Sequence, residues 1–260
     1  MAESPHLAEV EVRYISRPAL VKPVLVCGLP GSGYVGKLAA DYLVTAFKAE
    51  MVAEFQSSSF PPHVNVTDEG LASRLRADLL CAKTGQENDL LIFTADAQPA
   101  TSEGEYALAD AVLGHAKELH AELVFSLAAF VTGTFVRQRH VFGASTSADL
   151  VPKLSENGVV MMNEGGISGM NGLVVGMAKL HGMEGVSLLG ETSGYLLDPS
   201  ASHSVLEALS KILGLKIDLA SIEARAKEAQ QIFSQVQRMT EQGAEEAAGT
   251  REEGRPGYIG

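Results

Sequence analysis

The loop from Gly31 to Gly36 carries the spacing of a nucleotide-binding site. Its residues, Gly-Ser-Gly-Tyr-Val-Gly, match the G-x-G-x-x-G fingerprint of dinucleotide-binding proteins. The loop follows an apolar run that ends at Cys27 and precedes a helical pattern, as this fingerprint requires. Glu54 ends the next predicted strand, where an acidic residue would bind a ribose hydroxyl. The spacing therefore allows a bound dinucleotide; the alternative is a tight turn whose glycines let the helix pack closely on the sheet.

The same loop nearly matches a phosphate-binding P-loop. Gly31 and the pair Gly36-Lys37 stand at the positions of that motif's glycines and lysine. However, Leu38 occupies the position where a serine or threonine must bind magnesium. We therefore do not expect nucleotide hydrolysis of the P-loop type.

Three carboxylates, Glu164, Glu191 and Asp198, lie just beyond predicted strands. In open α/β sheets ligands bind outside the carboxyl ends of the strands, so these side chains and the glycine loop are expected at one rim. The candidate ligand pocket comprises Gly31, Gly33, Gly36, Glu164, Asn171 and Glu191. The alternative is that the carboxylates cap helices or accept hydrogen bonds from backbone amides of glycine turns. The same placement serves either role, so the sequence leaves both open.

No combination of residues predicts a catalytic centre. Ser168 and Ser193 both lack the G-x-S-x-G pattern of an activated serine. His115 and His120 are five residues apart, which is not the spacing of metal-binding pairs on a helix, and the two cysteines are not clustered. The sequence therefore favours a non-enzymatic protein with no catalytic residues, no metal and no cofactor. A nucleotide- or nucleoside-binding α/β enzyme that uses residues 28–37 is the alternative.

The net charge and the lengths of the apolar runs argue against nucleic acid and membranes as partners. The 260-residue chain has a formal net charge of -12, and its Lys and Arg residues are scattered. Such a surface repels nucleic acid and anionic membranes. The first residues lack the pattern of a signal peptide, and no apolar run approaches the roughly 18 residues that a membrane-spanning helix needs. We therefore expect a cytoplasmic protein that has neither a nucleic-acid nor a membrane partner.

Short apolar runs alternate with helical patterns over residues 1–218, which we interpret as one core domain. Runs at 24–27, 90–94 and 186–189 are typical of buried strands, and helices are predicted over 103–120 and 202–213. This alternation predicts a single α/β domain with a mostly parallel sheet and helices on both faces. A hairpin predicted within 64–75 would add antiparallel strands at one side.

The composition changes after residue 218. Residues 219–239 predict an amphipathic helix that covers the sheet or packs on another subunit. Its apolar stripe consists of Ile222, Ala226, Ala229, Phe233 and Val236. Residues 240–260 are polar and glycine-containing, which predicts a flexible tail. At its tip, Tyr258, Ile259 and Gly260 are predicted to bind a partner as a docking peptide; the alternative is a terminus without function.

Three glycine-rich motifs occur in a fixed order: residues 28–37, 164–176 and 188–195, the last followed by Asp198-Pro199. On these motifs the chain resembles the prokaryotic, archaeal-type homologues of the proteasome assembly chaperone family, similar to proteasome assembly chaperone two, over residues 21–236. The resemblance implies an α/β fold related to the nucleoside phosphorylase and peptidyl-tRNA hydrolase type. It also implies a homo-oligomeric scaffold that binds proteasome α subunits or the core particle, and it implies no catalysis.

The resemblance also suggests a role for the tail. In proteasome activators and assembly factors, a C-terminal tripeptide of a hydrophobic residue, tyrosine and any residue docks between α subunits. Here Tyr258 is third from the end rather than second, and Gly257 precedes it. The sequence departs from the motif by one position, so binding through the folded domain stays open beside binding through the tail.

Overall fold

The computed structural model describes residues 10–134, 139–224 and 226. The strands of this part of the chain are β1 (Val10–Tyr14), β2 (Val24–Gly28), β3 (Glu50–Ser57), β4 (Val64–Val66), β5 (Ala72–Arg74), β6 (Ala77–Ala82), β7 (Leu90–Ala95), β8 (Leu123–Val131), β9 (Val141–Ser145), β10 (Val159–Met161) and β11 (Glu184–Thr192). The α-helices are α1 (Val35–Ala46), α2 (Ser102–Glu118), α3 (Val151–Glu156), α4 (Met170–Met177) and α5 (Pro199–Leu213).

A mixed nine-stranded sheet organises these elements, in the order β1-β3-β6-β7-β2-β8-β11-β9-β10. The central strands β7, β2, β8 and β11 are parallel neighbours, as are β9 and β10. The β1–β3, β3–β6, β6–β7 and β11–β9 pairs are antiparallel. The centre of the sheet is therefore parallel as predicted, whereas β1, β3 and β6 on one side and the β11–β9 pair on the other make the sheet mixed. Short connections such as the one from β6 to β7 impose antiparallel pairing, whereas helical crossovers allow parallel pairing.

The predicted hairpin forms within residues 64–75, but it does not add strands to the large sheet as expected. β4 and β5 pair with each other in a separate two-stranded sheet and do not join the large one. The antiparallel strands at that side of the large sheet are β1, β3 and β6 instead. The sequence pattern predicted the turn, but it does not indicate which other strands the hairpin pairs with.

Helices cover both faces of the sheet, as predicted. Alternate residues of the fully buried strand β2 point to opposite faces: Leu25 packs with Leu108 of α2 and Val174 of α4. Val26 packs on the other face with Leu43 of α1, in the same cluster as α5. The continuous apolar run that predicted β2 is thus the signature of a strand with both faces covered.

The C-terminal part of the chain is described only in its first residues. Residues 220–224 and 226 are helical, and Ile222 is buried against the α1 face. The remainder of the predicted helix 219–239 and the whole tail 240–260 lie outside the described residues, so both stay predictions. Within the described part, no helix is both long enough and apolar enough to span a bilayer.

Candidate functional site

A cleft of about 420 Å³ opens at the carboxyl ends of β2 and β8. After β2 the chain continues through α1 to β3, toward the β1 edge of the sheet. After β8 it continues to β9, toward the β10 edge. Connections that diverge from adjacent parallel strands leave a crevice between them, which is where open α/β sheets bind ligands. The walls include Gly31, Ser32, Gly36, Phe130, Gly166 and Asn171.

Packing explains two glycines of the first motif. A Cβ on Gly36 would stand 2.0 Å from the Leu127 carbonyl oxygen of β8, and one on Gly28 would stand 2.2 Å from the Gly36 carbonyl oxygen. Gly33 adopts a left-handed conformation, with φ of 62°, in the 3-10 turn Ser32–Tyr34 before α1. These glycines therefore support the alternative in which the loop makes a tight turn and lets α1 pack on the sheet.

Gln98 joins the first glycine motif to the second. Its Nε2 donates to the Pro30 carbonyl oxygen at 2.5 Å, and its Oε1 accepts from the Met170 backbone N–H at 2.9 Å. Met170 begins α4, and Gly169 before it has φ of 71°, a conformation that favours glycine. Sequence reasoning missed Gln98 because a single glutamine in a loop belongs to no motif.

Neither close packing nor a left-handed φ accounts for two glycines of the cleft, Gly31 and Gly166. A Cβ on Gly31 would have no atom nearer than 3.9 Å, and one on Gly166 would meet nothing within 4 Å. Neither has a left-handed φ, and Gly31 is extended with φ of -171°. Because other residues would fit both positions, their lack of a side chain leaves open space in the cleft.

Asn171 supplies the buried polar group of the wall. Its side chain is 7 % exposed, and its Oδ1 has no hydrogen-bond partner among the described residues. Its Nδ2 lies 3.9 Å from the position a Cβ on Gly31 would take, so the amide faces the first glycine loop. Buried side-chain amides are normally hydrogen-bonded, which makes Asn171 the group in this wall most suited to recognise a ligand.

The other predicted pocket residues lie elsewhere. Of the six, Gly31, Gly36 and Asn171 line the cleft, whereas Gly33, Glu164 and Glu191 do not. Glu191 is buried on β11, where Oε2 accepts from the His140 backbone N–H at 3.1 Å and contacts its Nδ1 at 2.9 Å. Glu164 is exposed. Glu191 therefore adopts the role of binding a backbone amide, which was the alternative to lining a pocket.

No charged side chain occurs among the described residues that line the cleft. Lys37 of the first motif is directed away, with Nζ 2.7 Å from Asp41 Oδ1 and 3.0 Å from Thr94 Oγ1. Glu54, which the dinucleotide interpretation placed on a ribose, is buried on β3 and pairs with Arg76 Nη1 at 2.7 Å. The described residues also contain no group of His, Cys, Asp or Glu able to hold a metal ion. The wall thus offers backbone amides, the uncharged polar side chains of Ser32, Gln98, Ser168 and Asn171, and apolar surface, but no clamp for phosphate groups.

The sequence profile of the PAC2 family matches residues 25–237. The chain belongs to the PAC2 family. Among curated proteins it is 34 % identical over 224 residues to MJ1210 of Methanocaldococcus jannaschii, covering 86 % of each chain. Its fold is similar to that of Pyrococcus furiosus PbaB, described as an archaeal proteasome activator, with a TM-score of 0.82 and 32 % identity over 88 % of this chain and 99 % of that one. Pyrococcus furiosus PbaA, an archaeal homolog of proteasome-assembly chaperone, gives a TM-score of 0.72 and 29 % identity over 94 % of this chain and 97 % of that one.

These matches confirm the resemblance that the three motifs predicted: the chain is a homologue of the archaeal proteins PbaA and PbaB. The PAC2 match includes all three motifs, and the solved relatives share the α/β domain. The motifs also have structural roles in the fold. Gln98 connects the first two motifs by hydrogen bonds, and Asp198, which follows the third motif, caps α5.

A buried ion pair holds the third motif of this PAC2 domain in place. Arg139 Nη1 lies 3.0 Å from Asp198 Oδ2, with both side chains about one-tenth exposed. The same Oδ2 accepts from Thr192 Oγ1 at 2.7 Å, and Oδ1 accepts from the Ala201 backbone N–H at 3.0 Å, which caps α5. Asp198 therefore has a positioning role at this rim, and Arg139 was not recognisable because its partner is distant in sequence.

Exposed apolar side chains cluster beside the cleft. We call this surface the rim patch; it consists of Tyr34, Val131, Tyr195, Leu196 and Leu197. The loop after β11 brings them together: a Cβ on Gly33 would lie 3.4 Å from the Leu196 carbonyl oxygen, and one on Gly194 would lie 2.9 Å from Val131 Cγ1. Contiguous exposed apolar surface is typical of sites that bind proteins.

Proposed function

We propose that this PAC2 protein is a non-enzymatic, homo-oligomeric scaffold in the cytoplasm that binds proteasome α subunits or the assembled core particle. One observation carries the proposal: the chain is 32 % identical, over 88 % of its length, to an archaeal proteasome activator with the same fold. The similarity to PbaA, a homolog of proteasome-assembly chaperone, points to the same class of partner.

The nature of the cleft also supports a binding role rather than catalysis. The glycines at 28, 33 and 36 are accounted for by packing and turn geometry. The described residues of the wall include no acid, base or cation that would perform proton transfer or hold phosphate.

Two surfaces are proposed to make the contact. On the folded domain it is the rim patch, in which Tyr195 and Leu197 are 72 % and 61 % exposed. The second is the tip Tyr258, Ile259 and Gly260, which lies outside the described residues and rests on sequence alone. The tyrosine is displaced by one position from the docking motif, so we assign the larger share of binding to the rim patch.

Native gel electrophoresis with proteasome α subunits and core particle tests this division. The double substitution Leu196→Asp and Leu197→Asp is expected to abolish co-migration, because two carboxylates would be buried in an apolar contact. Leu180→Asp is the matched control, since Leu180 is 80 % exposed and lies outside the patch. Equal loss with the control, or binding that disappears only when residues 258–260 are removed, contradicts the assignment to the rim patch.

A second candidate function is the binding of a nucleoside-sized, uncharged molecule in the cleft. It is supported by the open space at Gly31 and Gly166 beside Asn171 and the Phe130 ring. An asparagine amide pairs with the donor and acceptor edge of a purine, and an aromatic ring stacks on its face. The absence of charged side chains among the described wall residues favours nucleosides over nucleotides.

A thermal-shift screen with adenosine, inosine, ATP and NAD tests this second function. A ligand at a hundredfold its dissociation constant stabilises a protein by about 2.7 kcal/mol, which such a screen detects. Gly31→Val is expected to abolish the shift by filling the cleft. Gly176→Ala is the control, because its Cβ meets nothing within 4 Å and Gly176 does not line the cleft. A screen in which no nucleoside stabilises the unsubstituted protein rejects this function.

A further inference from the structure

The β4–β5 hairpin does not join the nine-stranded sheet. Its two strands form their own sheet, and all their residues are exposed. Val64 and Val66 are 50 % and 64 % exposed and, two residues apart, lie on one face of the hairpin. An isolated two-stranded sheet is only marginally stable in water and needs a further strand or a covering surface. The exposed hairpin therefore has the properties of a surface that becomes covered when a partner binds.

The hydrogen bonding shows which backbone groups of β4 are turned outward. The Thr67 backbone N–H donates to the Leu71 carbonyl oxygen at 3.0 Å, so these residues face each other with their polar groups inward. Hydrogen-bonded and non-hydrogen-bonded pairs alternate along an antiparallel ladder. The next inward-facing pair is therefore Asn65 with Ser73. It follows that the N–H and C=O groups of Val64 and Val66 point to the outer edge of β4.

We infer that this edge pairs with the same edge of a second copy of the chain. The two β4 strands run antiparallel across a twofold axis at Asn65, which places Val64 of each copy opposite Val66 of the other. The outward groups of both valines are then hydrogen-bonded, and the two hairpins become one four-stranded sheet with adjoining valine pairs on one face. The inference specifies a contact for the self-association that the proposed function includes, and it rests on that function.

The distribution of charge favours antiparallel over parallel pairing of two copies. The paired segment, residues 64–66, contains no charged side chain, whereas the turn carries Asp68 and Glu69. Asp68 is three residues from the axis, so antiparallel pairing separates the two acidic turns by roughly 20 Å. That distance exceeds the screening length of about 8 Å at physiological salt. A parallel arrangement would instead place the acidic turns side by side.

The other edge of the hairpin is unsuited to the same pairing. Arg74 of β5 hydrogen-bonds to Gln56 of β3, which ties this strand to the large sheet. Pairing two β5 strands about Ser73 would also bring both arginines into the contact. The self-complementary edge is therefore β4.

A cysteine at the twofold axis gives a direct test with the full-length protein. In the new ladder the two Asn65 residues form a non-hydrogen-bonded pair, whose Cα atoms are about 4.5 Å apart, within the range that a disulfide bridges. Asn65→Cys is therefore expected to form a covalent dimer under mild oxidation. Ser73→Cys is the matched control, since Ser73 is also exposed but lies on β5. The natural thiols of Cys27 and Cys81 are buried and do not compete.

The expected result is at least ten times more disulfide dimer for Asn65→Cys than for Ser73→Cys at equal protein concentration. Adding Val66→Lys to Asn65→Cys is expected to abolish the dimer without lowering the melting temperature, because Val66 is exposed in the single copy. Equal cross-linking of the two cysteine variants, or cross-linking that survives Val66→Lys, overturns the inference.

The same variants separate this inference from the proposed function. If Asn65→Cys fails to cross-link while the protein still binds proteasome subunits, the pairing is wrong and the function stands. If cross-linking occurs as expected but no proteasome component binds, the pairing stands and the function is wrong. Loss of proteasome binding in Val66→Lys without any self-cross-linking assigns the β4 edge to another protein and overturns the inference.

Discussion

At Gly36 the backbone of β8 comes closer to α1 than any side chain allows. A Cβ there would stand 2.0 Å from the Leu127 carbonyl oxygen, which is backbone and has little freedom to shift. The glycines of the first motif thus divide by position: Gly36 is required by packing, Gly33 by its φ of 62°, and Gly31 by neither. The spacing of a motif does not contain this distinction, because it depends on which strand lies behind each glycine.

Gly36→Ala is expected to destabilise the fold by about 1–3 kcal/mol, the usual cost of forcing extra volume into a packed site. Gly176→Ala, in an open position of α4, is expected to stabilise it by about 0.5–1 kcal/mol because alanine favours the helix. Urea unfolding of the two variants measures both values. Similar stabilities for the two would contradict the close approach of α1 to β8.

Asp198→Ala removes the cap of α5 and leaves the Arg139 guanidinium buried without its partner carboxylate. We expect a loss of about 3–5 kcal/mol of unfolding free energy, the range for breaking a buried ion pair. Asp198→Asn keeps an oxygen to accept from the Ala201 N–H and should cost less. Chemical denaturation compares the two, and a cost below about 1 kcal/mol for Asp198→Ala would show that the pair contributes little.

Among the elements, the central strands were readable from the sequence and the peripheral ones were not. β7 contains the apolar run 90–94 that predicted it, since a strand buried on both faces needs no alternation. β9 and α3 were missed: Val141–Ser145 is short and contains glycine, and α3 has only six residues with a proline near its start. Likewise, the contribution of Gln98 depends on loops that meet only in three dimensions.

Gln98→Leu should loosen the junction between the first glycine loop and α4. Both hydrogen bonds of the side chain are lost, at about 1 kcal/mol each, and the Met170 N–H loses its acceptor. Hydrogen exchange followed by NMR is expected to show faster exchange at Met170 and unchanged exchange at Leu188 in the core strand β11. Unchanged protection at Met170 would contradict the bridging role.

A set of charged side chains lies on β3 and β6, where Asp78 is partly buried near Arg76 and Glu54. Burial raises the pKa of Asp78 above its ordinary 3.8, against the opposing effect of Arg76. An acid whose pKa is higher in the folded state binds its proton more tightly there, so folding loses stability as the pH rises above 3.8. Asp78→Asn is therefore expected to raise the melting temperature at pH 7 and leave it unchanged near pH 3. A lower melting temperature at pH 7 would mean that the pairing with Arg76 outweighs burial.

For the whole molecule, the three motifs predicted the family, and the family together with the fold supports the function. The same motifs did not predict the candidate site: Glu164 follows β10 as expected but is exposed, whereas Glu191, expected beyond a strand end, lies within β11 and binds His140. A carboxylate beyond a strand end can point toward a crevice or away from it, and the sequence does not encode which. The rim patch and the free edge of β4 were also not apparent, because both are defined by what the fold leaves uncovered.

Binding to the proteasome is best measured by native mass spectrometry of the unsubstituted, full-length protein mixed with core particle or with separate α subunits. We expect complexes at micromolar concentration that contain more than one copy of this chain, and we expect them to be lost when Leu196 and Leu197 are both replaced by Asp. Absence of any complex with either proteasome component, from a protein that is folded and self-associated, would contradict the proposed function.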